Sequence, residues 1–139
     1  MTEIQPFHLA IPVSDIEEAV EFYTEVLGCG VGRRAERWVD FNFFGHQVSA
    51  HLVEQLSLVD TNPVDGDRVP ARHFGVVLEW NAWQELSKRL QGRKMDFLIA
   101  PKIRFEGEPG EQATMFFYDP SGNALEFKSF RDLNSLFQA

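Results

Sequence analysis

The sequence predicts an α+β protein built from two βαβββ modules. Three observations carry this. The order strand, helix, three strands occurs twice. Phe7-His8-Leu9-Ala10-Ile11-Pro12-Val13 aligns with Arg72-His73-Phe74-Gly75-Val76-Val77-Leu78, and a helix follows each at a matching distance. Each half also closes on a strand carrying one polar candidate for the interior, His51 in the first and Glu126 in the second. The modules fall at about residues 6–54 and 72–130, joined by a linker over 55–71. Two open sheets leave edges to cover, and packing about a pseudo-two-fold axis is the simplest way to cover them.

In the first module, Phe7 to Val13 is a short apolar strand. Ser14-Asp15-Ile16-Glu17 matches a helix capping box. Ile16, Ala19, Val20, Tyr23, Val26 and Leu27 then recur at three- and four-residue spacings, as one buried helix face requires. Gly28 stands where a left-handed residue ends a helix. Strands are expected over 31–36, 38–44 and 47–54, with Gly45-His46 as the turn. His46 is read as surface. Phe41, Phe43 and Phe44 divide between two sheet faces, some lining a pocket and others a core. Residues 55–68 hold Asn62-Pro63 and Asp65-Gly66-Asp67 with little periodicity, and read as a loop.

In the second module, Arg72 to Trp80 reads as a strand. Asn81 caps a helix buried through Trp83, Leu86 and Leu90 and ended by Gly92. Strands follow at 95–100 and 103–105. Met115–Tyr118 and Ala124–Phe130 are then joined by the dense turn signal Asp119-Pro120-Ser121-Gly122-Asn123. Side-chain period in a strand is two, so Glu126 and Lys128 share one face while Leu125, Phe127 and Ser129 share the other. A carboxylate on an interior face needs a partner. A short terminal helix over 131–137 is expected to cover apolar surface.

Composition narrows the function classes. The chain has 139 residues, 44% of them hydrophobic, with 13 Phe and a formal charge of -8. That is ample for a packed core. An acidic chain without a basic stripe is a poor nucleic-acid ligand, and Arg33, Arg34 and Arg37, interrupted by Glu36, read as a solvated strand face. No apolar run approaches the roughly 18 residues that span a bilayer. The first residues lack the pattern of a signal peptide, and the single Cys29 excludes an internal disulfide, so the cytoplasm is the expected compartment. Nothing near Cys29 in sequence lowers its pKa, and it reads as a structural thiol.

Taken singly, His8 and His73 would be core histidines satisfied by backbone groups. Their equivalence in the repeat, with His51 and Glu126 equivalent on the last strands, brings four metal-capable side chains toward the axis. Imidazole and carboxylate suit Fe(II), Mn(II), Ni(II) or Zn(II). Two His and one Glu with open positions is the facial arrangement of non-haem iron oxygen chemistry. A closed structural zinc site would carry Cys pairs, which are absent.

His8 in its strand, the helix end Phe22-Tyr23-Thr24-Glu25-Val26-Leu27-Gly28, His73, and Asp119-Pro120-Ser121-Gly122-Asn123-Ala124-Leu125-Glu126 together resemble the vicinal oxygen chelate superfamily. Glyoxalase I, extradiol ring-cleaving dioxygenases and fosfomycin or bleomycin resistance proteins belong to it. The resemblance runs from about residue 6 to 130. It implies a curved, barrel-like mixed sheet around a metal site with the helices outside, a homodimer, and a small-molecule substrate that chelates the metal through adjacent oxygens. By resemblance His8, His73 and Glu126 are metal ligands. His51 takes the position where glyoxalase-like members carry a fourth ligand, commonly Glu, and serves as ligand or as acid–base group. Three His and one Glu favour the dioxygenase side and Fe(II). Well-studied extradiol enzymes have twice as many modules, a departure that leaves the substrate pocket unassigned. Lys128 borders the site by parity, and Tyr118 is a candidate donor to bound substrate. The alternatives are a glyoxalase-like lyase or isomerase using Ni(II) or Zn(II), and a non-catalytic binder of the drug-resistance type.

Overall fold

The computed structural model describes residues 3–56, 60–64 and 66–138. The chain divides into two compact units, Met1–Leu58 with Asp119–Asn123, and Val59–Tyr118 with Ala124–Ala139. The first carries one four-stranded sheet, the second a three-stranded sheet and a two-stranded ribbon, and none of them closes on itself.

In the first unit the strands are β1 (His8–Val13), β2 (Gly30–Arg34), β3 (Trp38–Phe43) and β4 (His46–Leu52), in sheet order β1-β4-β3-β2. β1 runs parallel to β4 and the other pairs are antiparallel. The helix is α1 (Ile16–Glu21), continued by a π-helical turn over Phe22–Val26. Asp15, not Ser14, is its cap: Asp15 Oδ1 accepts from the Glu18 N–H at 2.8 Å. Ser14 is used elsewhere, its N–H donating to Ser121 Oγ at 2.9 Å. In the π turn, Thr24 Oγ1 donates back to the Val20 carbonyl at 2.6 Å, which opens the ladder. Gly28 ends the helix at φ 78°, as expected.

The core of this unit is aromatic. Tyr23, Phe41 and Phe43 are buried, and the Tyr23 ring stacks on Phe41 at 4.9 Å. Phe44, at φ 55° in the turn before β4, is the exposed one of the three phenylalanines. The Tyr23 hydroxyl donates to Asp119 Oδ2 at 2.8 Å inside the core. Asp119 Oδ1 accepts from the Ser121 and Asn123 N–H groups at 2.9 Å each, and Asn123 Nδ2 donates to the Pro12 carbonyl at 2.7 Å. The Asp-Pro-Ser-Gly-Asn turn is thus a polar knot around one buried carboxylate. Burial, and then the charge of Asp119, push the Tyr23 phenol well above its ordinary pKa. Cys29 is buried, in keeping with a structural thiol.

In the second unit, residues 60–71 are not a plain loop. They hold a hairpin of β5 (Thr61–Val64) and β6 (Asp67–Pro70), paired from Thr61↔Pro70 to Val64↔Asp67. Residues 57–59 and Asp65 of the expected linker lie outside the described residues. Pro63 and Pro70 are tolerated because a two-stranded ribbon consists only of edges. The main sheet has order β7 (Phe97–Arg104), β8 (Gln112–Tyr118), β9 (Ala124–Phe130). β7 is one irregular strand where two were expected, bulged between Phe97 and Lys102. The expected strand over 72–80 is reduced to bridges: Phe74 and Val77 pair in parallel with Leu125 and Lys128. Gly75 is needed there, since a Cβ on it would stand 1.6 Å from the Glu126 carbonyl oxygen.

The helix α2 (Trp80–Gly92) starts two residues earlier than expected and is capped by Glu79 in place of Asn81, the Glu79 carboxylate accepting from the Ala82 N–H at 3.1 Å. Its Trp83, Leu86 and Leu90 are buried with Met115, Phe117, Leu125 and Phe127. Trp83 Nε1 donates to the Phe127 carbonyl at 2.8 Å, and Phe117 stacks on Phe127 at 5.9 Å. Burying side chains of this size contributes roughly 1.5–3 kcal/mol each. The C-terminal turn, Leu133–Phe137, is a 3-10 helix that covers little, because Leu133 and Phe137 are 63% and 92% exposed. No helix among the described residues is long and apolar enough to cross a membrane.

Candidate functional site

In the second unit the period-two rule separates two faces. Odd residues of β8 and β9 enter the core against α2, while Thr114, Phe116, Glu126 and Lys128 line a cavity of about 210 Å³ on the other face. Glu126 and Lys128 therefore share a face, as their parity required. Register places Phe116 opposite Glu126 and Thr114 opposite Lys128. From β7 come Ile99, Lys102 and Arg104, from the hairpin Val64, Asp67 and Val69, and from the segment after it His73.

The central pair is His73 and Glu126. His73 Nδ1 lies 2.8 Å from the Pro70 carbonyl oxygen. A carbonyl only accepts, so Nδ1 carries the proton, and in the neutral ring Nε2 carries a lone pair. That Nε2 faces Glu126 Oε1 at 3.3 Å. The other carboxylate oxygen, Oε2, accepts from Thr114 Oγ1 at 2.5 Å. Phe116 meets the imidazole edge-on at 4.9 Å. A lone pair and a carboxylate aimed at one another need a cation or a proton between them. Two donors about 2.0–2.2 Å from one ion, at about 90–110°, stand about 2.8–3.6 Å apart, so this pair fits two adjacent ligands of a first-row divalent metal. The supports have the form metal sites use: a carbonyl fixing the imidazole tautomer and a hydroxyl orienting the carboxylate.

His8 and His51 belong to the first unit. His8 Nδ1 lies 2.7 Å from Gln47 Oε1, and Gln47 Nε2 donates to Asp40 Oδ2 at 3.4 Å, which turns the amide oxygen toward the ring. His8 Nε2 is thereby the lone-pair nitrogen, as in His73. His51 is exposed on β4, opposite Trp38 on β3 and Pro12 on β1. Tyr118 ends β8, is 41% exposed, and is not among the residues lining the 210 Å³ cavity. His46 is more than surface: its Nδ1 accepts the Phe7 N–H at 2.8 Å and so ties the start of β1. Among the described residues, no group of three or more His, Cys, Asp or Glu side chains is placed to hold a metal ion.

Sequence reading missed Thr114 and Pro70. Thr114 could have been found by counting back from the turn, since Tyr118↔Ala124 sets Phe116 against Glu126 and leaves Thr114 one step diagonal to it. Pro70 leaves no signal in the sequence, because it acts through its backbone carbonyl from within the expected linker over 55–71.

The architecture is α+β, with two βαβββ units, one of which presents a His–Glu pair in a small cavity. The sequence matches the model of the glyoxalase/bleomycin resistance protein/dioxygenase superfamily over residues 5–127, and the chain belongs to that superfamily. Among solved structures it is similar to a glyoxalase/bleomycin resistance protein/dioxygenase from Alicyclobacillus acidocaldarius, with 35% identity, 96% of each chain covered and a TM-score of 0.79. The fosfomycin resistance protein FosX of Listeria monocytogenes shares the fold at 13% identity, covering 96% of this chain and 98% of that one, with a TM-score of 0.69. A glyoxalase/dioxygenase from Nostoc punctiforme does so at 20% identity, 90% of each chain and a TM-score of 0.65. No curated protein sequence matches.

Proposed function

We propose that the protein is a metal-dependent enzyme of this superfamily, acting as an Fe(II) dioxygenase on a small substrate that chelates the metal through adjacent oxygens. The observation that carries this reading is the 3.3 Å approach of His73 Nε2 to Glu126 Oε1, with both groups held from behind. His73 and Glu126 are two ligands in this reading, His8 is the third, and His51 a fourth ligand or an acid–base group. His8 enters on chemistry: it offers the same nitrogen as His73. A bound divalent ion supplies Lewis acidity that lowers the pKa of a chelated hydroxyl. The chain's own part is positional. Pro70 keeps the proton of His73 on Nδ1, and Thr114 keeps one Glu126 oxygen engaged so that the other faces His73. Phe116 and Ile99, both buried, give that side of the cavity an apolar wall. Tyr118 stays a weaker candidate as substrate donor because it stands at the strand end. Ni(II), Zn(II) or Mn(II) fits the same donors. A homodimer and a cytoplasmic setting complete the reading.

Oxygen uptake by iron-reconstituted protein over a panel of catechols tests it. Consumption that is lost in Glu126→Gln supports the dioxygenase. Metal binding with no oxygen consumed, together with turnover of a hemithioacetal, would replace it with the glyoxalase-type reaction. Stoichiometric ligand binding without metal would leave the non-catalytic binder.

A further inference from the structure

The cavity carries a second feature. Its floor is ordered in rows across the sheet. Ile99, Phe116 and Glu126 form one row, and Lys102, Thr114 and Lys128 form the next, with a lysine on each side of Thr114. Arg104 follows one row further along β7, opposite Gln112. Two residues along a strand span about 6.6 Å, so the lysine row lies one short step from the carboxylate row.

The charge balance of this cavity is opposite to that of the chain. Formal net charge is -8, yet Lys102, Arg104 and Lys128 line a space whose carboxylates are Asp67 and Glu126. Asp67 Oδ2 holds Lys102 Nζ at 3.2 Å, which fixes that ammonium from the hairpin side. Glu126 is engaged by His73 and Thr114. Lys128 forms no ion pair among the described residues, and its Nζ stands 5.6 Å from the centre of the Phe130 ring. A cleft of one sign with low-dielectric walls concentrates ligands of the other sign. Its volume, about 210 Å³, is below the roughly 300–1,000 Å³ of pockets for drug-sized ligands.

We propose that the cavity takes a compact ligand bearing an oxyanion, carboxylate or phosphoryl, which Lys128 and Lys102 hold over Thr114. Its carbon skeleton packs on Phe116, Ile99 and Val69, which form a small buried apolar cluster. The metal-chelating end of the same ligand rests on the preceding proposal; the oxyanion subsite does not.

The test titrates the full chain with methylphosphonate, acetate and inorganic phosphate at constant ionic strength set by chloride. Binding is read from amide and side-chain NMR shifts, first after chelator treatment and again after Zn(II) loading. Saturable binding with shifts at Thr114 and Lys128 is expected. It should weaken at least about tenfold in Lys128→Met and be largely retained in Lys128→Arg, since a charged hydrogen bond is lost in one and kept in the other. Lys88→Met on α2 should leave it unchanged. Tighter acetate assigns a carboxylate ligand, and tighter methylphosphonate a phosphoryl one. Anion binding without any zinc uptake would support the subsite while removing the metal reading. Zinc uptake with no anion binding beyond chloride, or a Lys128→Met protein that binds as well as wild type, would overturn the subsite.

Discussion

At the scale of single residues, the site depends on how Glu126 is held. Thr114 Oγ1 occupies one carboxylate oxygen, so Thr114→Val should leave the fold intact and weaken metal binding about 10–100-fold, the usual effect of removing a supporting group. Competition against a chromogenic chelator measures it. An unchanged affinity would mean the hydroxyl does not orient the carboxylate. Gly75 supports the same residue through its backbone. Because a Cβ there overlaps the Glu126 carbonyl, Gly75→Ala must push the two segments apart, and a loss of roughly 3 kcal/mol or more in urea unfolding is expected. Ser129 gives the opposite case. Its Oγ is buried without a hydrogen-bond partner among the described residues, so Ser129→Ala should be neutral or stabilising by about 1 kcal/mol. The common face of Glu126 and Lys128 was legible from alternation alone. Their partners were not, because a cross-strand diagonal and a backbone carbonyl from another segment leave no local pattern.

At the scale of elements, the Asp119 turn and the hairpin over Thr61–Pro70 teach different lessons. The turn announced itself, since Asp, Pro, Gly and Asn each have a distinct reason to be there. What the sequence did not announce is that Tyr23, on another element, completes it. Tyr23→Phe removes a hydrogen bond to a buried carboxylate and should cost about 1.5–3 kcal/mol near neutral pH. The phenol's pKa is raised in the folded state, first by burial and then by Asp119. The unfolded chain therefore releases this proton at about pH 10 while the folded chain keeps it. The contribution is fully present below pH ~10 and falls as pH rises past it. The stability gap between wild type and Tyr23→Phe, followed by urea unfolding from neutral to alkaline pH, should accordingly narrow above that point. A gap that widens would contradict the assignment. The hairpin went unread because Asn62-Pro63 and Gly66-Asp67 look like breakers. In a two-stranded ribbon, which consists only of edges, proline is compatible with pairing. That hairpin ends in Pro70, so missing it also hid the group that sets the tautomer of His73.

At the scale of the whole molecule, the repeat was the most legible feature. Element order alone pointed to two βαβββ units, and each unit forms its own sheet with the first segment parallel to the last strand. The equivalence of His8 and His73 follows from that repeat. Sheet periodicity placed Glu126 on the cavity face, but no periodicity in the sequence marks a cavity that is cationic inside an acidic chain. The reading of the site as a metal centre comes down to whether His73 and Glu126 together retain a divalent ion. Metal content of protein purified anaerobically from metal-replete cells measures this, beside His73→Ala and Glu126→Gln. The expected result is about one iron per chain, as a two-His-one-carboxylate site requires, lost in both variants. Wild-type protein that carries no metal and takes none up on reconstitution would contradict it.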